Sequence, residues 1–186
     1  ILYEIFFWFG TPVSRIDTSD TSTDTYITLQ DGSHIAYTVT GNGPALLLIH
    51  STAWSSLEYQ ELISQLKDHY TVYTVDMPGF GNSDKPQTTY SLEYFHSSMQ
   101  DFVQQFPEQH FHLIGASIGG TVAVQLAADF PQRVSSLTLI SPYGFGTEIN
   151  KFALLAQLPI LAEILLYPNP VTFDFILERG LLDDDA

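Results

Sequence analysis

One serine in this sequence stands in a setting that could make it a nucleophile. Ser117 lies at the centre of residues 115–120, Gly-Ala-Ser-Ile-Gly-Gly, between an apolar stretch with strand character and one with helical spacing. Small residues on both sides let strand and helix approach closely, in a strained turn that exposes the serine hydroxyl. The start of the helix offers backbone N–H groups to a developing oxyanion. The motif predicts nucleophilic attack by Ser117; the alternative is an incidental serine in a glycine-rich turn.

Two further loops follow apolar runs with strand character. His50-Ser51-Thr52 follows Ala45–Ile49, and the stretch 76–83, Asp-Met-Pro-Gly-Phe-Gly-Asn-Ser, follows Thr71–Val75. Because the carboxyl ends of parallel strands meet at one edge of a sheet, these loops and the Ser117 turn should converge on one crevice. The residues predicted to line or support that pocket are His50, Ser51, Asp76, Gly79, Gly81, Gly115 and Gly119.

No cofactor or metal is predicted at this crevice. Gly79-Phe80-Gly81 lacks the third glycine of a dinucleotide fingerprint, and no loop ends in Gly-Lys-Ser or Gly-Lys-Thr. No two histidines have the spacing of a zinc-binding helix, and the chain has no cysteine to supply thiolate ligands. The predicted chemistry therefore rests on side chains and backbone alone.

The elements that must position these loops alternate along the chain. The signal Asp31-Gly32 predicts an antiparallel hairpin between Tyr26–Leu29 and Ile35–Val39. Further strands are predicted at Ala45–Ile49, Thr71–Val75, Phe111–Ile114 and Ser136–Ile140, with helical spacing at 54–66, 92–106 and 118–130 between them. The alternation predicts an α/β fold with a mostly parallel, doubly wound sheet of six strands.

Both ends of the chain differ from this pattern. Residues 147–167 and 171–182 are two apolar helical stretches with no strand between them, and they predict the start of a helical cap. Residues 1–9 are apolar except for Glu4, and a linker rich in Ser, Thr and Asp follows. The predicted organisation is a terminal segment and linker at 1–24, a core at 25–143 and a partial cap at 144–186.

The terminal segment bears on location, and the composition bears on partners. Residues 1–9 are either part of a signal sequence or membrane anchor with a longer N-terminus, or a terminal element packed on the domain. The second interpretation, with a cytoplasmic protein, is favoured. The formal net charge of -15, from 6 Lys+Arg against 21 Asp+Glu, would repel phosphate backbones. We therefore expect a small-molecule substrate and no nucleic-acid partner.

The two glycine-containing motifs together resemble those of the α/β-hydrolase superfamily, in its serine esterase-like or lipase-like branch. The resemblance runs from Tyr26 to Pro142 and implies an eight-stranded sheet with an antiparallel second strand, of which this chain would supply six strands, and a cap after the sixth. It implies that Ser117 is the nucleophile and that the N–H groups of Ile118 and Thr52 form the oxyanion hole. The family usually has His-Gly where this chain has His50-Ser51, so we expect the side chain at 51 to narrow or reorient the hole.

The same resemblance implies an acid and a histidine after the serine. All 6 histidines precede Ser117, and the acidic residues that follow it fall on predicted helices or the cap. We therefore expect both triad partners to lie beyond Ala186, in a longer parent cut inside its cap. His50 is expected to have a structural hydrogen-bonding role rather than that of a base.

Two classes of function remain open. The first is hydrolysis of an ester-like acyl bond through Ser117, with carbon–carbon bond hydrolysis as a close variant. The second is a non-catalytic ligand-binding or interaction protein on the same scaffold. Haloalkane dehalogenases and epoxide hydrolases share the fold but carry aspartate at this turn, so Ser117 argues against both. Apolar residues at 152–166 favour an apolar substrate, unless they only bury the cap against the sheet.

Overall fold

The computed structural model describes residues 25–52 and 54–144, which form one six-stranded sheet with helices on both faces. The strands are β1 (Thr25–Thr28), β2 (His34–Gly41), β3 (Ala45–Ile49), β4 (Thr71–Val75), β5 (Phe111–Ala116) and β6 (Val134–Ile140). The helices are α1 (Gln60–Leu66), which follows a 3-10 turn at Ser56–Tyr59, α2 (Leu92–Gln105) and α3 (Ile118–Asp129).

The sheet has the order β1-β2-β4-β3-β5-β6. β1 pairs with β2, and β2 with β4, in antiparallel register, whereas the pairs β3–β4, β3–β5 and β5–β6 are parallel. The predicted mostly parallel α/β sheet with an antiparallel second strand is therefore confirmed. The carboxyl ends of β3, β4 and β5 lie side by side at one edge, and the loops that carry the predicted site residues start there.

The core lies on both faces of the sheet, with β3 buried along its whole length. One face presents Leu46, Leu48 and Val72, against which Leu62 and Leu66 of α1 pack. Side chains alternate along a strand, so Tyr73 faces the opposite side, where its ring meets that of Phe106 just after α2. Phe102 of α2 likewise meets the ring of Tyr37. The sheet is doubly wound, as predicted.

The segment after β3 differs from the helix that its apolar spacing predicts. A helix was expected from 54 onward, but a 3-10 turn starts at Ser56 and α1 only at Gln60. Two polar contacts explain the delay: Ser55 Oγ caps the turn, and Asp76 Oδ1 accepts a hydrogen bond of 2.7 Å from Ser56 N–H. As a result Trp54 and Leu57 are 62% and 57% exposed instead of packing in the core.

The predicted terminal segment and linker (1–24) and the predicted cap, apart from its first residue, lie outside the described residues. Within the described part of the chain, no helix combines the length and the apolar character needed to cross a membrane. The strands and helices described here lie within the core predicted at 25–143, whose boundaries stay a prediction.

Candidate active site

Ser117 occupies a strained turn between β5 and α3. Its backbone angles are φ 50° and ψ -119°, a region that costs a residue with a side chain about 1–3 kcal/mol. The turn is tied to the end of β6 and the segment beyond it, because Ser117 N–H donates to Ile140 O (2.9 Å) and Ser117 O accepts from Tyr143 N–H (3.0 Å). Ser117 is the N-cap residue of α3, yet its side chain makes no capping hydrogen bond. The half-buried hydroxyl is therefore not used to stabilise the helix.

The glycines beside Ser117 are required by close backbone approach. A Cβ added at Gly119 would lie 2.5 Å from Ile49 O and closer still to His50 O, inside the 3.0 Å that real Cβ atoms essentially never cross. A Cβ at Gly115 would lie 2.7 Å from the carbonyl carbon of Gly119 and closer still to its oxygen. Strand β5, the first turn of α3 and the end of β3 thus meet without intervening side chains. Ile118 begins α3, where backbone N–H groups have no partner within the helix.

His50 is fully buried between the loops that follow β3 and β4. Its Nε2 accepts a hydrogen bond from Met77 N–H (2.9 Å), so its Nδ1 carries the proton and donates to Ser51 O (2.8 Å). Burial lowers the pKa of His50, against the opposing charges of Asp76 and Glu58. The imidazole is neutral, and its one lone pair is already used. This geometry agrees with the expected structural role and leaves no free nitrogen to accept a proton.

Ser51 and Thr52 follow His50, and both N–H groups lie on a loop shaped by one carboxylate. Ser51 donates from its backbone N–H to Glu58 Oε2 (2.7 Å) and from its hydroxyl to Glu58 Oε1 (2.9 Å). Among the described non-glycine residues only Ser117 and Ser141 have a positive φ, so position 51 does not require glycine. Thr52 is exposed at the tip of the loop. The side chain at 51 is thus bound to Glu58, a contact that the sequence did not indicate.

Asp76 organises the loop after β4 from a buried position. Its Oδ1 accepts from Ser56 N–H (2.7 Å) and its Oδ2 from Asn82 N–H (2.8 Å). Ser83 Oγ donates to Asp76 O (2.5 Å) and accepts from Ala36 N–H (2.7 Å), which ties the loop to β2. Asp76 is therefore a structural hub rather than a free acid.

The two glycines of this loop lie against its own scaffold. Gly79 has φ 90° and packs on the ring of Tyr90, and Gly81 has φ 47° and packs on the carboxylate of Asp76. Both backbone conformations favour glycine, and neither position has room for a Cβ. Gly79 and Gly81 therefore support the loop after β4, which was predicted to line the pocket.

Two other histidines pair with carboxylates, but both pairs lie away from the Ser117 turn. His96 Nε2 contacts Asp129 Oδ2 (2.7 Å) at the last residue of α3, about 16 Å from its start at 1.5 Å per residue. His34 Nδ1 contacts Asp84 Oδ2 (2.8 Å) beside β2, which lies three strand spacings, or about 14 Å, from β5. Within residues 25–52 and 54–144, neither pair can serve as the base for Ser117.

The structure therefore brings most of the predicted pocket residues to the edge of the sheet where β3, β4 and β5 end. There His50, Asp76 and the glycines support the loops. The loop of His50 meets the Ser117 turn through Gly119, and the loop of Asp76 meets the loop of His50 through Met77. Sequence reasoning missed Glu58, which has no motif around it, and Ser83, whose buried hydroxyl could have been anticipated from its place at the end of the 76–83 motif. In the described part of the chain, no three His, Asp or Glu side chains cluster as a metal site would require.

Comparison with known proteins agrees with this architecture. A family model described as alpha/beta hydrolase fold matches residues 44–175, more than half of the chain. An uncharacterized protein of Mycobacterium tuberculosis is 35% identical over 134 residues, which are 72% of this chain and 39% of that protein. A pimeloyl-[acyl-carrier protein] methyl ester esterase of Aeromonas hydrophila is 37% identical over 102 residues, which are 54% of this chain and 39% of the esterase. The chain thus spans 39% of the length of each of these relatives.

A solved structure shares both the sheet and part of the sequence. The crystal structure of a membrane phospholipase A, described as a novel bacterial virulence factor, matches with a TM-score of 0.70 and 28% identity, over 84% of this chain and 51% of that one. The match to the family model, the sheet order and the strained serine turn lead to one assignment. The chain belongs to the α/β-hydrolase fold family.

Proposed function

We propose that this chain carries the nucleophile and the oxyanion hole of a serine hydrolase that cleaves ester-like bonds. The observation that carries the proposal is the Ser117 turn: a serine at φ 50°, at the N-terminus of α3, whose hydroxyl is not used for capping. Backbone strain of this kind clusters at active sites. The esterase and the phospholipase A among the relatives, each named for its own activity, support the same reaction class.

In the proposed reaction, Ser117 Oγ attacks the acyl carbonyl carbon while a histidine that follows residue 186 in the full-length gene product takes the hydroxyl proton. The carbonyl oxygen becomes an oxyanion and accepts hydrogen bonds from the N–H groups of Ile118 and Thr52. The protonated histidine then gives its proton to the leaving alcohol as the carbon–oxygen bond breaks, which leaves an acyl-enzyme. Water, deprotonated by the same histidine, hydrolyses the acyl-enzyme and regenerates Ser117. An acidic residue outside the described part orients the histidine.

The proposed substrate is a small apolar acyl compound. Trp54 and Leu57 lie beside the loop proposed to hold the oxyanion, and both present most of their apolar surface to solvent. Exposed aromatic and aliphatic side chains at the rim of a site favour apolar groups of a ligand. The many apolar residues at 152–166 point the same way, although they lie outside the described residues.

The test is covalent labelling of the full-length gene product with a fluorophosphonate, followed by intact mass and peptide mapping. We expect one adduct, on Ser117, and loss of turnover of an aryl ester in proportion to labelling. Ser117→Ala should abolish both, whereas Ser64→Ala, at an exposed serine of α1, should change neither. If Ser117→Ala kept the parental turnover, the nucleophile would be misassigned. A folded protein that binds apolar esters without labelling or turnover would instead be a non-catalytic binder on this scaffold.

A further inference from the structure

We propose that Glu58 is a positioning residue for the oxyanion hole, because it holds Ser51, the residue whose carbonyl group belongs to the peptide unit that carries Thr52 N–H. This inference rests on the proposed function, in which Thr52 N–H is one of the two donors. Glu58 itself touches neither substrate nor nucleophile in this scheme. It acts through Ser51.

The first step is the pair of hydrogen bonds between Glu58 and Ser51. One carboxylate oxygen accepts the backbone N–H of Ser51 at 2.7 Å, and the other accepts its hydroxyl at 2.9 Å. Hydrogen bonds to an ionised acceptor are shorter and stronger than those between neutral groups. Two of them, to two different groups of one residue, fix both the backbone and the side chain of Ser51.

The second step follows from the geometry of the next peptide unit. Its carbonyl, Ser51 O, accepts the buried His50 Nδ1–H at 2.8 Å and, more weakly, Trp54 N–H at 3.4 Å. A trans peptide unit is planar, and its C=O and N–H point in opposite directions. No cis peptide bond occurs among the described residues. Thr52 N–H must therefore point away from the buried His50 ring, towards the open side of the loop.

The third step places this loop against the nucleophile turn. The carbonyl of His50, on the peptide unit that carries the Ser51 N–H, lies against the Cα of Gly119 in the first turn of α3. The same peptide unit is thus held by Gly119 on its carbonyl side and by Glu58 on its N–H side. Without Glu58, the N–H group and the hydroxyl of Ser51 would lose their partner, and the next peptide unit would keep the hydrogen bonds to Ser51 O but lose this constraint on the residue before it.

The fourth step concerns the rigidity of Glu58. Its backbone lies in the 3-10 turn Ser56–Tyr59, whose first N–H is bound by Asp76 Oδ1 at 2.7 Å. At the other end of that turn, the buried Tyr59 hydroxyl donates to Ile49 O at 2.9 Å. The turn is therefore anchored to β3 and to the loop after β4. A carboxylate on such a turn is held in place before substrate binds, which is what a preorganised oxyanion site requires.

The arrangement also explains the serine at position 51, where a glycine was the family expectation. Because residue 51 has no positive φ, a side chain is tolerated. The hydroxyl then adds a second bond to the same carboxylate, so Ser51 and Glu58 act as a pair. The expectation that the side chain at 51 would narrow the oxyanion hole is replaced by one in which it stabilises the loop.

The experiment compares Glu58→Ala, Glu58→Gln and the matched control Glu61→Ala in the full-length gene product. Glu61 is an exposed glutamate of α1. Loss of a whole oxyanion donor costs about 10²- to 10³-fold in kcat, so misorientation of Thr52 N–H in Glu58→Ala should cost about 10- to 100-fold. KM should stay within about 2-fold, because the donor acts in the transition state. Glu58→Gln should recover most of kcat, because its amide oxygen still accepts Ser51 N–H.

The outcomes separate this inference from the proposed function. If Ser117→Ala retains turnover, the proposed function fails, and Glu58 has no oxyanion to serve. If Ser117 is essential but Glu58→Ala has the kcat of Glu61→Ala, the inference alone is overturned. A rise in KM at unchanged kcat would also overturn it, since it would show a role in ground-state binding. Thermal melts of all three variants set an assay temperature at which each is fully folded, so that loss of kcat is not loss of fold.

Discussion

Replacement of Gly119 by alanine tests whether contact between the loop after β3 and the first turn of α3 is needed for function. The added Cβ would lie 2.5 Å from Ile49 O and closer to His50 O, where ordinary contact begins at 3.4 Å. Both neighbours are backbone atoms at the end of a buried strand, so no side-chain rotation relieves the clash. The helix start, the loop or both must move apart by about 1 Å, a displacement that alone can cost about 10²-fold in rate.

The stability effect is the difference between two opposing contributions. Forcing an extra methyl into a packed region costs about 1–3 kcal/mol. Alanine within a helix is favoured over glycine by about 0.8–1.0 kcal/mol, and Gly119 lies in α3. We therefore expect a net loss of about 0–2 kcal/mol in the free energy of unfolding, with a larger relative loss in kcat. Gly120→Ala is the matched control, because its Cβ would lie 3.0 Å from Gly115 O and 3.1 Å from Pro142 Cβ, where small shifts suffice.

The assay combines urea unfolding with aryl-ester kinetics on the full-length gene product and both variants. We expect Gly120→Ala to stay within about 0.5 kcal/mol of the parent, since helix propensity offsets its milder contact. Turnover should fall by about 10²-fold in Gly119→Ala and much less in Gly120→Ala. Equal turnover in the parent and Gly119→Ala, at full occupancy of the folded state, would refute the reasoning that links this contact to catalysis.

Three further predictions concern the residues that hold the loops. Asp76→Asn should lower the free energy of unfolding by about 1.5–3 kcal/mol in urea titrations, because the amide has one oxygen for the two N–H groups that Asp76 binds. An unchanged urea midpoint would contradict the structural role of Asp76. Tyr59→Phe should cost about 1 kcal/mol by the same measurement, since Ile49 O loses its buried donor; no loss would show that another donor replaces it. Burial lowers the pKa of His50 below its value in the unfolded chain. The stability that the neutral His50 contributes is therefore complete above about pH 6.5 and is lost as the pH falls towards the folded-state pKa. The loss is at most about 1.4 kcal/mol per pH unit. Melts between pH 8 and pH 5 should show less acid sensitivity in His50→Gln than in the parent, and an equal slope would contradict the buried neutral state.

Sequence periodicity predicted most of the sheet because β3, β4 and β5 are apolar and largely buried, and β1 and β2 form a hairpin. The run Ala45–Ile49 matches β3 residue for residue, and Asp31-Gly32 lies in the hairpin between β1 and β2. The helix expected from residue 54 was wrong in its first turns. There the outcome depends on a carboxylate 20 positions along the chain, Asp76, which captures Ser56 N–H. Local spacing carries no information about such a partner.

The parts of the candidate site that could be predicted are those where the backbone conformation or close packing requires a particular residue type. The close contacts at Gly115 and Gly119 and the strained turn at Ser117 could be predicted from their spacing, because only small residues permit such an approach. The role of Ser117 as nucleophile stays a proposal. Glu58 could not be predicted, because its partner Ser51 is reached only after the chain turns back in a 3-10 turn. The tautomer of His50 is likewise set by Met77 N–H, from a different loop. Contacts between different loops could be identified only once the fold was known.

The hydrogen bonds that hold the loops after β3 and β4 have a consequence for how substrate range could change under the proposed function. The side-chain hydrogen bonds described above for His50, Glu58, Asp76 and Ser83 all join residues between Ala36 and Ser83, within one contiguous stretch of sequence. This stretch ends before Ser117, and none of these hydrogen bonds involves a residue after β6. Under the proposed function, sequence changes after β6 would leave these hydrogen bonds in place. Substrate range could then change through those later residues without loss of the hydrogen bonds that support the loop after β3.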